Sequence, residues 1–271
     1  MDESSMIEKR GRLAYLSPQE DSRIILVGDI HGDLDALKRA VSMRRPRDIL
    51  IFLGDYADRG PDGVEVIEGI DMLLQKHPDA VVALMGNHEE YDDSGRPSFS
   101  PCTLMYEADQ KRGGWQEFFE STFKGFLGRL SLAAVLPGGA LFLHGGLGSG
   151  IEVTASLEEP DASMERNVLW SDPSPEGGVS PNMRGAGKYF GPDISESTMR
   201  NLDVHHVFRS HEPRKATGGP VPEHDGRIVT VSSTRVYGGR PFLLSLDPAQ
   251  LLNGMSVEEL NESAVFLDTD L

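Results

Sequence analysis

A single cysteine, Cys102, stands among the 271 residues, which excludes an intramolecular disulfide and any scaffold stapled by several. It lies in no recognisable nucleophile motif. Long apolar runs are also missing. The longest, Ile49 to Leu53 and Val81 to Met85, fall far short of the roughly 20 residues a membrane helix needs, so they read as buried strands. Positive charge is scarce: 26 Lys and Arg against 43 Asp and Glu give a net charge of −17, which argues against a surface built to grip nucleic acid or an anionic membrane. It does not forbid a phosphate ligand, because bound cations and a few arginines can invert the sign inside a cleft. The stretch from Met1 to Arg12 is polar and mixed in charge and lacks the basic segment and apolar core of a secretion signal. The expectation is a cytoplasmic protein.

What the sequence does have is a series of short apolar runs. They lie at Ile24–Val27, Ile49–Leu53, Val81–Met85, Leu141–Leu143, Val204–Phe208, Ile228–Val231 and Phe242–Leu246, and each reads as a strand. Between the early ones, Leu34, Leu37 and Val41 follow Asp33 as a plausible N-cap, and Val64, Ile67, Ile70 and Leu74 recur at helical spacing,. The first half therefore reads as βαβαβ. A pattern from Trp115 through Phe118, Phe119, Phe123, Phe126 and Leu127 to Leu130 predicts another core-facing helix, weakened by Gly125 and Gly128,. Little helical pattern separates the last three runs, so the sheet should become mixed there. The expectation is one α/β domain over residues 1–271, two packed sheets flanked by helices, with flexible ends at about 1–20 and 255–271,.

The chemistry follows the strands. Gly28-Asp29-Ile30-His31-Gly32 leaves the first, Gly54-Asp55-Tyr56-Ala57-Asp58-Arg59-Gly60 the second and Gly86-Asn87-His88-Glu89 the third. Asp and neutral His suit borderline divalent cations such as Mn²⁺, Fe²⁺ or Zn²⁺. One such turn is as readily a helix cap. Three in series, each at a strand end where α/β sheets gather their ligands, are not explained by turn formation, which has no reason to add His or Arg each time. Leu143-His144-Gly145-Gly146 and Arg209-Ser210-His211-Glu212-Pro213 repeat the design with a His leaving a strand.

These segments, in this order, resemble the motifs of calcineurin-like metallophosphoesterases, and in particular the phosphoprotein phosphatase (serine/threonine protein phosphatase) family, over about Arg23 to Asp247. Leu169-Trp170-Ser171-Asp172-Pro173 and the stretch from Arg184-Gly185 to Phe190-Gly191 are similar to segments that protein phosphatases carry between their last two metal histidines. The resemblance implies a sandwich of two mixed β-sheets flanked by helices. It also implies two divalent metal ions, Mn²⁺ by preference with Fe or Zn as alternatives: Asp29 and His31 on the first, Asn87, His144 and His211 on the second, and Asp55 bridging both. Two close cations lower the pKa of a shared water, so a hydroxide between them attacks phosphorus directly, without a phosphoenzyme. By the same resemblance Arg59 and Arg184 grip the phosphate, His88 is the general acid and Asp58 orients its ring,.

One stretch departs from the family. Its Ser-Ala-Pro-Asn-Tyr-Cys-Gly corresponds to Ser232-Ser233-Thr234-Arg235-Val236-Tyr237-Gly238, so Val236 stands where Tyr is expected. Tyr237 can reach the cleft only if the loop is rearranged, and Arg235 is a candidate extra contact. His77, His205, His206 and His224 are assigned to no metal, and Arg44-Arg45-Pro46-Arg47 reads as a solvated turn rather than a binding patch,. The implied substrate is a phosphoprotein or phosphopeptide, with no nucleic-acid or membrane partner and no regulatory subunit identified. Two alternatives stay open: a diadenosine tetraphosphate hydrolase or other small-molecule phosphoesterase with the same metal chemistry, and a catalytically silent binding module.

Overall fold

The computed structural model describes residues 5–267. One sheet has seven strands in the order β1 (Ile7–Arg10), β2 (Leu13–Leu16), β6 (Ala133–Leu136), β7 (Ala140–Leu143), β11 (His206–Arg209), β13 (Ile228–Thr230), β12 (Val221–Glu223). A second has five, in the order β15 (Ala264–Phe266), β14 (Phe242–Leu246), β3 (Ile24–Val27), β4 (Ile49–Phe52), β5 (Val81–Ala83). Both are mixed: β3, β4 and β5 run parallel while β14 is antiparallel to β3, and β11 runs parallel to β7 and β13 while β6 and β7 are antiparallel. A small sheet of β8 (Asp172–Pro173), β10 (Lys188–Phe190) and β9 (Val179–Pro181) forms within the stretch that reads as loop in the sequence.

The two-residue period of a strand explains why the central runs are apolar throughout. Ile24 and Leu26 of β3 and Ile49 and Ile51 of β4 point inward, where they meet Phe142, Phe208 and Val229 of the opposite sheet. Ile25, Val27, Leu50 and Phe52 point outward and are covered by α1 (Leu34–Met43), α2 (Gly63–Lys76) and α3 (Leu104–Lys111). On the far side, Leu141, Leu143 and Val207 pack against Val168, Leu169, Met199 and Leu202. Each such side chain contributes roughly 1.5–3 kcal/mol on burial, so the strands are fixed from both faces. The layers are helix, sheet, sheet, helix.

Asp33 caps α1, its Oδ1 accepting the Ala36 N–H at 3.1 Å. Glu107 of α3 does the same for α2, accepting from Gly63 and Val64 at 3.1 and 2.9 Å. The helix expected from Trp115 contains a π-turn over Phe119–Phe123. The wider turn leaves Phe118, Phe119, Phe123 and Phe126 all buried,.

The ends differ from the sequence expectation. Much of the 1–20 stretch is the β1–β2 hairpin, seated in the large sheet through parallel pairing of β2 with β6, and the C-terminal stretch includes a capped helix, Val257–Glu262, and β15 paired to β14. The reason the hairpin is hard to read is that three of the four β1 residues, Glu8, Lys9 and Arg10, are exposed and charged on an edge strand,. Residues 1–4 and 268–271, also part of the expected loose ends, lie outside the described residues.

Candidate metal centre

Parallel strands deliver their carboxyl ends to one side of a sheet, and here both sheets do so at the same place. The turns after β3, β4 and β5 carry residues 28–32, 54–60 and 86–89, and those after β7 and β11 carry His144 and His211. A parallel bridge between Asp29 and Ser232 joins the two sheets at this seam.

The turns are strained. His31, Asp55, Asp58, Arg59 and His211 all have positive φ, between 45° and 70°, a region that costs non-glycine residues of the order of 1–3 kcal/mol when held by their surroundings. Gly54 and Gly86 permit the close approach of two of these turns. A Cβ at Gly54 would lie 2.5 Å from the Gly86 nitrogen, and one at Gly86 would lie 2.3 Å from Asp55 Oδ1.

All six candidate donors named from the sequence converge and are buried, none more than 4 % exposed. His31 Nε2 lies 3.4 Å from Asp55 Oδ2, and His144 Nε2 lies 3.4 Å from Asp55 Oδ1, so Asp55 stands between the two imidazoles. Asn87 Oδ1 sits 3.0 Å from His144 Nε2 and 2.8 Å from His211 Nδ1. Asp29 closes the ring, with Oδ1 accepting the His211 N–H at 3.2 Å.

The tautomers are set from behind. His31 Nδ1 donates to Ala57 O and His144 Nδ1 to Leu53 O, both at 2.9 Å, which turns the Nε2 lone pairs inward. His144 Nε2 and Asn87 Oδ1 then meet as two acceptors, an approach that a shared cation relieves. Asp29 Oδ2 and His211 Nε2 are buried without a hydrogen-bond partner. Burial raises the carboxyls of Asp29, to about 6, and of Asp55 well above the ordinary range, and it pushes His31 down to about 3 and His144 and His211 well below 6.5. Buried carboxyls that resist ionisation on their own, packed with neutral ring nitrogens, suit divalent cations, whose charge favours the carboxylate form. Among the described residues two groups lie within mutual ligating reach, His31 with Asp55 and His88, and Asp55 with His144 and His211.

His88 differs from the other histidines in its backing. Its Nδ1 lies 2.7 Å from Asp58 Oδ2, and Asp58 Oδ1 accepts the backbone N–H groups of Thr103 and Leu104 at the start of α3. Burial raises the Asp58 carboxyl, but the His88 bond and these amides outweigh it and leave it below the ordinary range. His88, Arg59 and Arg184 line a cleft of about 620 Å³ together with His31, Asp55, Asn87, His211 and Tyr237.

Tyr237 does reach the cleft: its ring stands edge-on to His31 at 5.5 Å, and it lines the cleft with Arg59. Arg235 is not among the residues that line the cleft. Its backbone N–H and Nε both donate to Asp33 Oδ2 at 3.0 Å, which ties the loop to the N-terminus of α1.

Several residues at the centre have no role in the sequence reading. Glu89, 1 % exposed, accepts the N–H groups of Asp55, Tyr56 and Gly86 at 2.8, 3.0 and 2.9 Å. It stitches the second turn to the third, and burial raises its carboxyl to about 7. Asp172 binds Arg184 Nε through Oδ2 at 2.9 Å and the wholly buried Arg209 through Oδ1 at 2.7 Å. The available signals were the Glu that ends GNHE and an Arg inside an apolar strand, both of which need a partner.

The sequence pattern of the calcineurin-like phosphoesterase family matches residues 22–215. The chain belongs to that family. As a calcineurin-like phosphoesterase it is similar to Serine/threonine-protein phosphatase 5 of Homo sapiens, 32% identical over 86% of this chain and 47% of that one, and to Serine/threonine-protein phosphatase T of Schizosaccharomyces pombe, 31% identical over 87% of this chain and 50% of that one. The chain thus spans about half the length of these curated relatives. A solved protein serine/threonine phosphatase from Saccharomyces cerevisiae superimposes with a TM-score of 0.76 at 27% identity, covering 94% of this chain and 82% of that one. A putative diadenosine tetraphosphatase shares the fold, with a TM-score of 0.53 at 18% identity over 96% of this chain and 100% of that one. The family implies a two-metal site, and the donor set here fits one. Among the described residues no helix is long and apolar enough to cross a membrane.

Proposed function

We propose that this calcineurin-like phosphoesterase hydrolyses phosphoserine and phosphothreonine in proteins as one cytoplasmic catalytic domain, with Mn²⁺ as the preferred metal. In this reading Asp29 and His31 would hold one cation, Asn87, His144 and His211 the other, and Asp55 would serve both. The observation that carries it is the Asp58–His88 pair at 2.7 Å, opening on the same cleft as Arg59 and Arg184. Two divalent cations, when bound, supply Lewis-acid charge to the phosphoryl oxygens and acidify water.

The rest falls to side chains. Arg59 and Arg184 bind the equatorial phosphoryl oxygens, and their planar forks match two oxygens each. His88 keeps Nδ1 on Asp58, so Nε2 delivers the proton to the departing serine or threonine oxygen as the P–O bond breaks. Water supplies the new P–O bond and no covalent enzyme intermediate forms. The protein-phosphatase reading is supported by the names of the relatives above 30% identity and by the Asp172–Arg184 bond in the Trp-Ser-Asp-Pro segment. A Mn²⁺-loaded panel of phosphoserine, phosphothreonine and phosphotyrosine peptides against diadenosine tetraphosphate tests it. Preference for the first two is the expected outcome, and preference for the dinucleotide overturns it.

A further inference from the structure

Two arginines, one in the phosphate cleft and one in the cavity that adjoins it, stand without an acidic partner among the described residues. Arg214 lines the cleft itself, its guanidinium 5.4 Å from the centre of the Tyr237 ring. Arg166 lines a second cavity of about 340 Å³ with Glu90, Phe99 and Trp170. Arg184 stands in the wall of both, so the two cavities adjoin at the residue assigned to the phosphate. Both arginines are exposed, and neither makes an ion pair among the described residues. Elsewhere this acidic chain pairs its arginines freely: Arg12, Arg23, Arg112, Arg129 and Arg200 each hold a carboxylate. The glutamates that share a cavity wall with these two arginines are already engaged, Glu212 by Arg209 and Lys215, and Glu90 by the Trp170 indole N–H at 2.9 Å.

We infer, resting on the phosphoprotein reading above, that the site selects phosphorylated segments with Asp or Glu on both sides of the phosphorylated residue, Arg214 reading one flank and Arg166 the other. An extended segment advances about 3.3 Å per residue, so carboxylates a few positions away fall within reach of side chains bordering the phosphate. Exposed guanidinium–carboxylate pairs are individually modest. The selectivity comes from two acting on one substrate while Lys-flanked segments are repelled.

The test uses the full chain loaded with Mn²⁺ and three phosphothreonine peptides of equal length flanked by Glu, Gln or Lys, with p-nitrophenyl phosphate as a check that each variant is folded. The wild type is expected to rank kcat/KM as Glu over Gln over Lys. Arg214→Ala and Arg166→Ala should each narrow the Glu-to-Gln ratio by about two- to fivefold, as expected for exposed ion pairs, and Arg214→Glu should move the preference toward the Lys peptide. Equal kcat/KM on all three peptides, or an unchanged ratio in both alanine variants, overturns this inference and leaves the phosphatase reading standing. Cleavage of p-nitrophenyl phosphate with none of the peptides overturns both.

Discussion

The cradle of six donors and the rim that faces substrate are built by different means. In the cradle every named side chain hangs from the end of a strand packed on both faces; backbone atoms of a neighbouring turn fix the His31 and His144 rings and the Asp29 and Asp55 carboxylates, and the Asn87 side chain holds the His211 ring. On the rim, Arg59 and Arg184 are exposed, and Arg184 and Tyr237 are steered by single side-chain relays, Asp172 for one and the Arg235–Asp33 pair for the other. Geometry set by sheets is shared by any chain with the fold, whereas geometry set by relays can drift residue by residue. That is where this chain departs from its family.

The contrast can be broken most severely at its shared residue. Asp55→Asn is expected to lower kcat by more than about 10³-fold and to reduce metal content in elemental analysis, because one substitution removes charge from both halves of a two-metal site. Retained metal with full turnover would remove Asp55 from the centre. Dialysis against a chelator should abolish turnover as completely, and Mn²⁺ should restore it; activity in metal-free protein would overturn the two-metal reading. His88→Asn comes next, with a loss of about 10²–10⁴-fold, the usual contribution of a general acid, and metal content held. Equal metal loss in both variants would place His88 in the cradle instead. Asp172→Leu leaves the wholly buried Arg209 without one of its two carboxylates, and a buried charge stripped of its partner costs about 3–5 kcal/mol; Glu212 remains as the second, so the lower end is expected in chemical denaturation. Its effect on KM should exceed that on metal content. The smallest effect is expected from Arg235→Ala, a few-fold rise in KM as Tyr237 loosens, with metal content and His88-dependent chemistry unchanged. A matching metal loss would show that the loop belongs to the cradle.

The same division decides what was legible in the sequence. Motifs such as GDIHG and GNHE are local, and strands such as Ile24–Val27 are apolar on both faces, so donors and scaffold could be read residue by residue. The capping of α1 by Asp33 was legible for the same reason. Relays were not. Asp172 and Arg209 are 37 positions apart, and nothing periodic connects them. The small sheet of β8, β9 and β10 lies in a glycine-rich stretch whose strands are two or three residues long, below the length at which alternation can be seen. Counting positions against the family motif left the place of Tyr237 open, because the loop that carries it is tied down by Arg235 on Asp33, a contact across 202 residues.

The seam bridged by Asp29 and Ser232 has a thermodynamic consequence. Asp29, His31, Asp55 and Asn87 come from one sheet and its turns, His144 and His211 from the other, so cations held by the proposed set would fasten the halves of the sandwich together. A ligand that binds only the folded chain adds about 2.7 kcal/mol at a hundred times its dissociation constant. Metal supply would then govern how long the chain stays folded as well as how fast it works, and the apo and loaded forms should part in Tm before any substrate is added.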